Sequence, residues 1–177
     1  MKKMYRSAYL DIVVSAIVIL AAVGYFIYQS YFQQQMIELY ILDKNKKAIN
    51  YPHTIIVGVN NSIVFYIGIE NKLWNDAYVS IKIKLTNSSH NFDQHYIFSK
   101  DYFLKSSEST LDLYEVNITD IALINGKFWI TSVYVNGKKA FLDLRVEKGG
   151  ILNIIVELWH DNNFSGQWVE LKIKMED

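Results

Sequence analysis

The tightest group of metal-capable side chains in the sequence lies in the stretch His90-Asn-Phe-Asp93-Gln-His95. Imidazole and carboxylate groups bind zinc when three or four of them converge on one point. A spacing of five residues, however, places the two histidines on opposite faces of an extended chain. The stretch therefore argues against a metal centre, and neither a metal nor a cofactor is expected.

Motifs for catalysis are also missing from the sequence. It contains no cysteine, which excludes a disulfide scaffold, thiolate metal sites and cysteine nucleophiles. It contains neither a phosphate-binding loop nor a nucleophile elbow. The 18 lysine and arginine residues balance 18 aspartates and glutamates, so no global basic field attracts nucleic acid. We expect a protein that is not an enzyme, and only a catalytic triad assembled from distant positions stays open as an alternative.

Aromatic side chains are the more informative candidates for binding. Many of them alternate with the aliphatic residues of the strands and so occupy the opposite face. One interpretation is a platform for a sugar or a protein partner. The other, which the sequence favours, is cross-strand packing on an exposed sheet face. The set is Tyr66, Tyr78, Tyr114, Trp129, Tyr134, Trp159 and Trp168.

The elements that position these side chains are strands. Apolar residues alternate with polar ones at Val79, Ile81, Ile83 and Leu85, which buries one face and wets the other. Similar runs occur over 63–69, 152–158 and 169–173. Asn125-Gly126 and Asn136-Gly137 match type I′ turns and predict a three-stranded meander. About nine short strands without helices between them predict an antiparallel β-sandwich of the immunoglobulin-like kind over residues 36–177.

The amino-terminal stretch has a different character, because no charged residue occurs between Asp11 and Glu38. Its length and the basic residues ahead of it predict a single transmembrane helix. The expected layout is a cytoplasmic segment over 1–8, a transmembrane helix and stalk over 9–35, and an extracytoplasmic domain over 36–177. Membrane lipid is then an expected partner. A pilin-like assembly helix and a cleaved signal peptide are the alternatives.

Four sequons for N-glycosylation lie in the expected outer domain, each near a predicted turn or strand end. A chain rich in asparagine also produces such triplets by chance. The predicted acceptors are Asn60, Asn87, Asn117 and Asn163.

The segment IELYILDKNKKAINYPHTIIVGVNNSIVFYIGIENKLWNDAYVSIKIKLTN, residues 37–87, resembles an uncharacterised archaeal family of membrane proteins with an extracytoplasmic sandwich domain. Its shared elements are Tyr51-Pro52, the step Val57-Gly58 and the strand end Ile69-Glu70-Asn71. The stretch LWHDNNFSGQWVELKI, residues 158–173, is similar to the closing strands of that family. The resemblance implies a fold and a location but no reaction.

Three functions follow as hypotheses. The first is an accessory or structural subunit of a membrane or cell-envelope complex. The second is a pilin-like or archaellum-associated filament subunit. The third is a surface module that binds glycans through exposed aromatic side chains.

Overall fold

The structure is a computed structural model that describes residues 2–33, 36–49, 51, 53–87 and 95–177, with the side chains of the helix given for 13–28. The chain forms two compact units, Met1–Met36 and Ile37–Asp177. The first contains the helix α1 (Lys2–Gln33). The second contains ten strands and, among its described residues, no helix. His90, Asp93 and Pro52 lie outside the described residues.

The expectation of a membrane anchor is wrong. In the described part of the chain, no helix combines the length and the apolar character that crossing a membrane requires. The single-pass placement, with a cytoplasmic amino terminus and an extracytoplasmic sandwich, is therefore contradicted. The expectation of membrane lipid as a partner depended on that anchor.

The second unit is an all-β sandwich of two five-stranded sheets, which confirms the all-β sandwich part of the predicted fold class. Sheet A consists, in spatial order, of β1 (Ile37–Leu42), β3 (Ser62–Asn71), β6 (Ser109–Ile124), β7 (Lys127–Val135) and β8 (Lys138–Glu147). Sheet B consists of β2 (Thr54–Ile56), β10 (Asn163–Glu176), β9 (Ile151–His160), β4 (Ala77–Thr86) and β5 (Phe98–Leu104). Neighbouring strands are antiparallel except that β2 runs parallel to β10.

Alternation of apolar and polar residues builds the core as predicted. Ile63, Phe65, Ile67 and Ile69 of β3 are buried, as are the four alternating residues of β4. These rows face one another between the sheets because successive side chains of a strand point to opposite faces. The core is therefore the space between the two sheets.

The predicted meander is also present. β6 pairs with β7, and β7 pairs with β8. The backbone torsion φ is positive at both residues of each connecting turn, 51° and 76° at Asn125-Gly126 and 48° and 78° at Asn136-Gly137. Asparagine and glycine tolerate this left-handed conformation, which explains why these two dipeptides end the strands.

The outer face of sheet B departs from simple alternation. Lys84 and Glu157 point away from the core, yet their side chains are fully buried and their charged atoms lie 2.7 Å apart. Ile155, on the same face, is also fully buried. Tyr96, from the connection between β4 and β5, contacts this face and donates a hydrogen bond of 3.0 Å to Glu157 Oε2. Part of the polar face predicted to be wet is therefore covered.

Candidate binding groove on sheet A

Irregularities in two neighbouring strands create the most distinctive polar surface of the sandwich. In β6, the core-side residues Ile118 and Ile121 are separated by two residues, and in β7 the same holds for Ile130 and Val133. The pairing register shifts at both places. Such bulges re-aim side chains and are common beside binding sites. Four polar residues thereby come together on the outer side of the sheet: Thr119, Asp120, Thr131 and Ser132.

These four residues form a connected network. Ser132 Oγ donates a short hydrogen bond to Asp120 Oδ2, and the hydroxyls of Ser132 and Thr119 lie 3.1 Å apart. Lys139 Nζ lies 3.5 Å from the same carboxylate oxygen. The hydrogen bond from Ser132, and secondarily the charge of Lys139, lower the pKa of Asp120 below its ordinary value. Asp120 is therefore an anionic hydrogen-bond acceptor at neutral pH.

Trp129 stands beside this network with its indole ring fixed. Its Nε1 donates to Asp143 Oδ1, and the guanidinium of Arg145 lies 4.4 Å from the ring centroid. Arg145 lies directly opposite Trp129 on β8, whereas Ala122 lies directly opposite it on β6. A cation over an aromatic face is attracted by the ring quadrupole, which helps to hold the indole in place. The side of the ring toward β8 is thus occupied, and Ala122 is its cross-strand neighbour on the side toward β6.

A cavity of about 450 Å³ opens on that β6 side. We call it the Trp129 groove, and its lining consists of Thr119, Asp120, Ile121, Ala122, Trp129 and Thr131. The lining combines an aromatic ring, two hydroxyls and a carboxylate. An aromatic ring packs against the C–H face of a sugar, while hydroxyl and carboxylate groups exchange hydrogen bonds with sugar hydroxyls. The groove therefore has the chemistry of a carbohydrate subsite.

The same geometry is poorly suited to hydrolysis. A glycosidase uses two carboxyl groups, one of which has a raised pKa so that it is protonated and acts as general acid. The pKa of Asp120 is shifted in the opposite direction. Asp143 is engaged by the indole N–H of Trp129, and the guanidinium of Arg145 lies 3.9 Å from it.

The predicted aromatic set does not form one platform. Tyr114 is fully buried in the core, where its ring packs edge-on against Phe98 at 5.7 Å and stacks on Phe65, so its expected place on an outer face is wrong. Tyr66, Trp129 and Tyr134 belong to sheet A, whereas Tyr78, Trp159 and Trp168 belong to sheet B. Within the set, Trp129 alone lines the Trp129 groove.

Packing accounts for other members of the set, as the sequence favoured. Tyr78 pairs with the cross-strand ring of Phe103 at 4.7 Å. Trp159 contacts Tyr96 edge-on at 5.9 Å and carries the ammonium of Lys82 3.4 Å from its ring centroid. These rings stabilise sheet B in the way expected of cross-strand aromatic pairs.

No group of three or more potential metal ligands converges among the described residues. His90 and Asp93 of the candidate cluster lie outside those residues. His95 lines a separate cavity of about 300 Å³ together with Phe141 of β8. Among the described residues, His95 thus does not belong to any group of three potential metal ligands.

The four predicted glycosylation acceptors occupy different settings. Asn60, Asn87 and Asn163 are exposed in turns or at a strand end. The amide of Asn87 donates to Arg145 O at 2.8 Å, and that of Asn163 donates to Asp161 O at 3.1 Å. Asn117 differs from the expectation, because it lies within β6, half-buried and opposite Ser62. Glycan attachment at all four stays a prediction.

Sequence reasoning missed the polar partners of Trp129. The signal was present, because Ile118-Thr-Asp-Ile121 and Ile130-Thr-Ser-Val133 both interrupt the two-residue period in the same way. Asp143 and Arg145 gave no such signal, since they alternate regularly along β8. Only the pairing of β7 with β8 brings them to Trp129.

No family model and no curated protein matches the chain. Solved structures of a beta-glucosidase from Listeria innocua share a distant likeness with it. The complex with gluconolactone is 12% identical with a TM-score of 0.48, and the complex with isofagomine is 10% identical with a TM-score of 0.43. Each match covers 80% of this chain but only 16% of the beta-glucosidase chain. At such identities and TM-scores the likeness has no bearing on activity.

Proposed function

We propose that the β-sandwich is a non-catalytic recognition module that binds a carbohydrate in the Trp129 groove. The observation that carries the proposal is an indole ring held between Asp143 and Arg145 beside a connected set of polar groups. A sugar ring stacked on Trp129 places its hydroxyls next to Asp120 and the two threonines of the lining. The proposal adopts the third of the functions drawn from the sequence.

Preorganisation supports this role. Ordering a side chain on binding costs about 0.5–1.5 kcal/mol, and that cost falls when the side chain is already fixed. The indole of Trp129 is fixed by a hydrogen bond on its edge and a cation over its face. Asp120 is likewise fixed by Ser132. The groove therefore presents its acceptor and its stacking surface without rearrangement.

The groove is shallow and open, which sets the expected strength of binding. One stacked ring and a few solvent-accessible hydrogen bonds give a weak complex. We expect a Kd between roughly 0.05 and 1 mM for a short oligosaccharide, which corresponds to about 4–6 kcal/mol. Binding of this strength is measurable by NMR titration or calorimetry.

The experiment is a titration of the intact protein with a panel of neutral, acidic and amino-sugar oligosaccharides. Trp129→Ala removes the stacking surface and Asp120→Asn removes the charged acceptor, and both variants are expected to lose binding at least tenfold. Trp168→Ala is the matched control, because Trp168 is a partly exposed tryptophan of sheet B outside the groove. Equal losses in the Trp129 and Trp168 variants, or no binding to any member of the panel, would contradict the proposal.

We further propose that the sandwich is of the immunoglobulin-like kind. In such domains strands C, F and G form one sheet, and strands A, B and E neighbour one another in the other. In sheet B the order β4-β9-β10 corresponds to strands C, F and G, and in sheet A the order β1-β3-β6 corresponds to strands A, B and E, which supports the proposal. The hairpin of β7 and β8 is then an addition beyond β6, and it carries Trp129, Asp143 and Arg145.

Other predictions from the sequence stay predictions. They are membership of the archaeal family, a role as accessory subunit of a cell-envelope complex, and a role as pilin-like filament subunit. Intact-mass analysis addresses the filament hypothesis, which requires loss of the first eight or so residues. Glycopeptide mass spectrometry addresses the four sequons.

A further inference from the structure

A second exposed aromatic ring lies close to the Trp129 groove, on the same face of sheet A. Phe141 of β8 is paired directly with Ser132 of β7, and directly paired residues of neighbouring strands point to the same side of a sheet. Ser132 donates to Asp120, which lines the groove. Phe141 is 79% exposed, so its ring is accessible to a ligand. The polar centre of the groove is thus flanked by two aromatic rings, Trp129 and Phe141.

Lys139 joins the groove to this second ring. Its ammonium lies 3.5 Å from Asp120 Oδ2 and 4.9 Å from the ring centroid of Phe141. The side chains of Lys139 and Asp120 are 38% and 55% exposed, so both charged groups reach solvent while they contact each other. A sugar hydroxyl donates to a carboxylate and accepts from an ammonium group. A ligand that extends from Trp129 to Phe141 therefore meets both a donor and an acceptor on its way.

A cavity of about 300 Å³ begins at Phe141, and we call it the Phe141 cavity. It lies at β8, the last strand of sheet A, and its lining includes Phe141 and Asp143 of that strand. His95 and Tyr96, from the connection between β4 and β5, line it as well. Asp143 also accepts a hydrogen bond from Nε1 of Trp129, so one carboxylate contacts the indole of the groove and borders the Phe141 cavity. Aromatic rings again lie beside groups that exchange hydrogen bonds.

We propose that the Trp129 groove and the Phe141 cavity are two subsites of one site, whose ligand is a neutral oligosaccharide that runs across β6, β7 and β8. This step rests on the proposed function. The groove is lined by β6 and β7, and the Phe141 cavity by β8 and by residues beyond it. Adjacent strands are about 4.8 Å apart, so the path from β6 to one strand spacing beyond β8 is roughly 14 Å long. A single sugar ring cannot span it.

The fixed charges along this path favour a neutral ligand. Lys139 Nζ lies 3.5 Å from Asp120, and Arg145 Nε lies 3.9 Å from Asp143, so each carboxylate has a cation beside it. An oligosaccharide that carries charges of one sign is attracted by one member of each pair and repelled by the other. The hydroxyls of a neutral sugar interact favourably with both members. The charge pattern therefore disfavours chains of uronic acids and of amino sugars.

Two subsites make the affinity depend on the length of the ligand. A disaccharide occupies the groove alone, whereas a longer chain also contacts Phe141 and the cavity beyond it. Because this second contact is made within the same complex, it raises affinity without the full cost of a separate binding event. Loss of Phe141 should therefore weaken the binding of long chains alone, and loss of Trp129 should weaken the binding of every chain.

The experiment is an NMR titration of the full chain with cello-oligosaccharides and malto-oligosaccharides, each from the disaccharide to the hexasaccharide. The parent should bind the longest chains of the preferred series about tenfold more tightly than the disaccharide. Phe141→Ala should abolish this gain and leave the affinity for the disaccharide unchanged. Phe103→Ala is the matched control, because Phe103 is a 49% exposed phenylalanine of sheet B, and this variant should retain the gain. Oligogalacturonate and chitosan oligosaccharides of the same lengths test the preference for a neutral chain.

Side-chain signals in the same titration report where the ligand lies. The chain has 4 tryptophans and 4 histidines, so the indole N–H signal of Trp129 and the imidazole signals of His95 are assigned by Trp129→Ala and His95→Gln. The disaccharide should shift the Trp129 signal alone. The hexasaccharide should shift the signals of both residues. A merely structural effect of Phe141→Ala would not produce this dependence on length.

The two proposals fail separately. Binding that requires Trp129 but has the same affinity at every length overturns the extended site and leaves the groove in place. The same conclusion follows if Phe141→Ala weakens the binding of short and long chains equally. Long chains that shift the His95 signals and bind undiminished to Trp129→Ala contradict the proposed function instead. Tighter binding of oligogalacturonate or chitosan oligosaccharides than of every neutral chain overturns the assignment of a neutral ligand.

Discussion

Replacing Lys84 by methionine tests how the outer face of sheet B is held together. The ammonium of Lys84 and the carboxylate of Glu157 are both fully buried and 2.7 Å apart. Lys84→Met retains much of the side-chain volume but leaves the carboxylate without this cation. Breaking a buried ion pair in this way costs about 3–5 kcal/mol of unfolding free energy.

Two contacts place the expected cost near the lower end of that range. Tyr96 Oη and Trp159 Nε1 each donate to Glu157 Oε2 at 3.0 Å, and both persist in the variant. We therefore expect a loss of about 3 kcal/mol, equivalent to a fall in Tm of roughly 6–12 °C for a protein of this size. The double variant Lys84→Met with Glu157→Gln removes both charges and keeps an oxygen acceptor for Tyr96 and Trp159, so its stability should recover part of the loss.

The assay is urea unfolding followed by tryptophan fluorescence. All 4 tryptophans lie in the sandwich, so the signal reports on that unit alone. Lys174→Met is the control, because the side chains of Lys174 and Glu176 are 50% and 41% exposed and their charged atoms lie 2.6 Å apart on the same sheet. An exposed pair contributes about 0–1 kcal/mol, so this variant should be nearly neutral. A loss below about 1 kcal/mol for Lys84→Met would refute the burial of the pair.

Two further predictions concern the sandwich itself. A Cβ atom added at Gly68 would lie 2.1 Å from Tyr40 Cζ. Gly68→Ala must therefore displace that ring and should lower the free energy of unfolding by about 1–3 kcal/mol in the same urea assay. Adding Tyr40→Ala should restore part of this loss. If the single variant is neutral, the ring does not lie over the glycine. Burial is the main cause that raises the pKa of Tyr102 above its ordinary range and that of Tyr114 to about 12, and their hydroxyls lie 2.7 Å apart. A raised pKa means that the folded state favours the protonated phenol. The resulting contribution to stability is complete below the pKa of an unfolded tyrosine, near 10, and is lost as the pH rises above it. Unfolding should therefore begin above pH 10 and accompany ionisation of these tyrosines. Absorbance of phenolate and circular dichroism, recorded together, check this, and complete ionisation of all 13 tyrosines near pH 10 with the fold intact would contradict it.

Local patterns predicted much of the sandwich. The two-residue period identified the core rows of β3 and β4, and the two Asn-Gly dipeptides located the ends of β7. Both are properties of short segments, since side-chain direction and turn conformation are set within a few residues. The parallel pairing of β2 with β10 was missed because it joins residues more than a hundred positions apart.

The outer face of sheet B shows where local patterns fail. Lys84 fits the wet face of an alternating strand, and nothing near it in the sequence indicates burial. The apolar run Ile151-Leu-Asn-Ile-Ile-Val did carry a signal, because Ile155 interrupts the alternation as in a strand covered on both faces. What covers the face includes Tyr96, whose position depends on tertiary structure.

The candidate groove was predictable only in part. Trp129 belongs to the aromatic set drawn from the sequence, and the paired Ile-Thr motifs predict bulges once they are compared. Asp143 and Arg145 reach Trp129 only because β8 folds back beside β7. The apolar amino-terminal stretch was interpreted from composition as a membrane anchor, whereas no helix among the described residues combines the length and the apolar character that such an anchor needs.

The most direct test of carbohydrate recognition is a calorimetric titration of the parent protein and of Trp129→Ala with the oligosaccharide that binds best in the panel. The account predicts saturable binding by the parent with a Kd between roughly 0.05 and 1 mM and at least a tenfold loss in the variant, with an unchanged unfolding curve. Undiminished binding by the folded Trp129→Ala protein would contradict it.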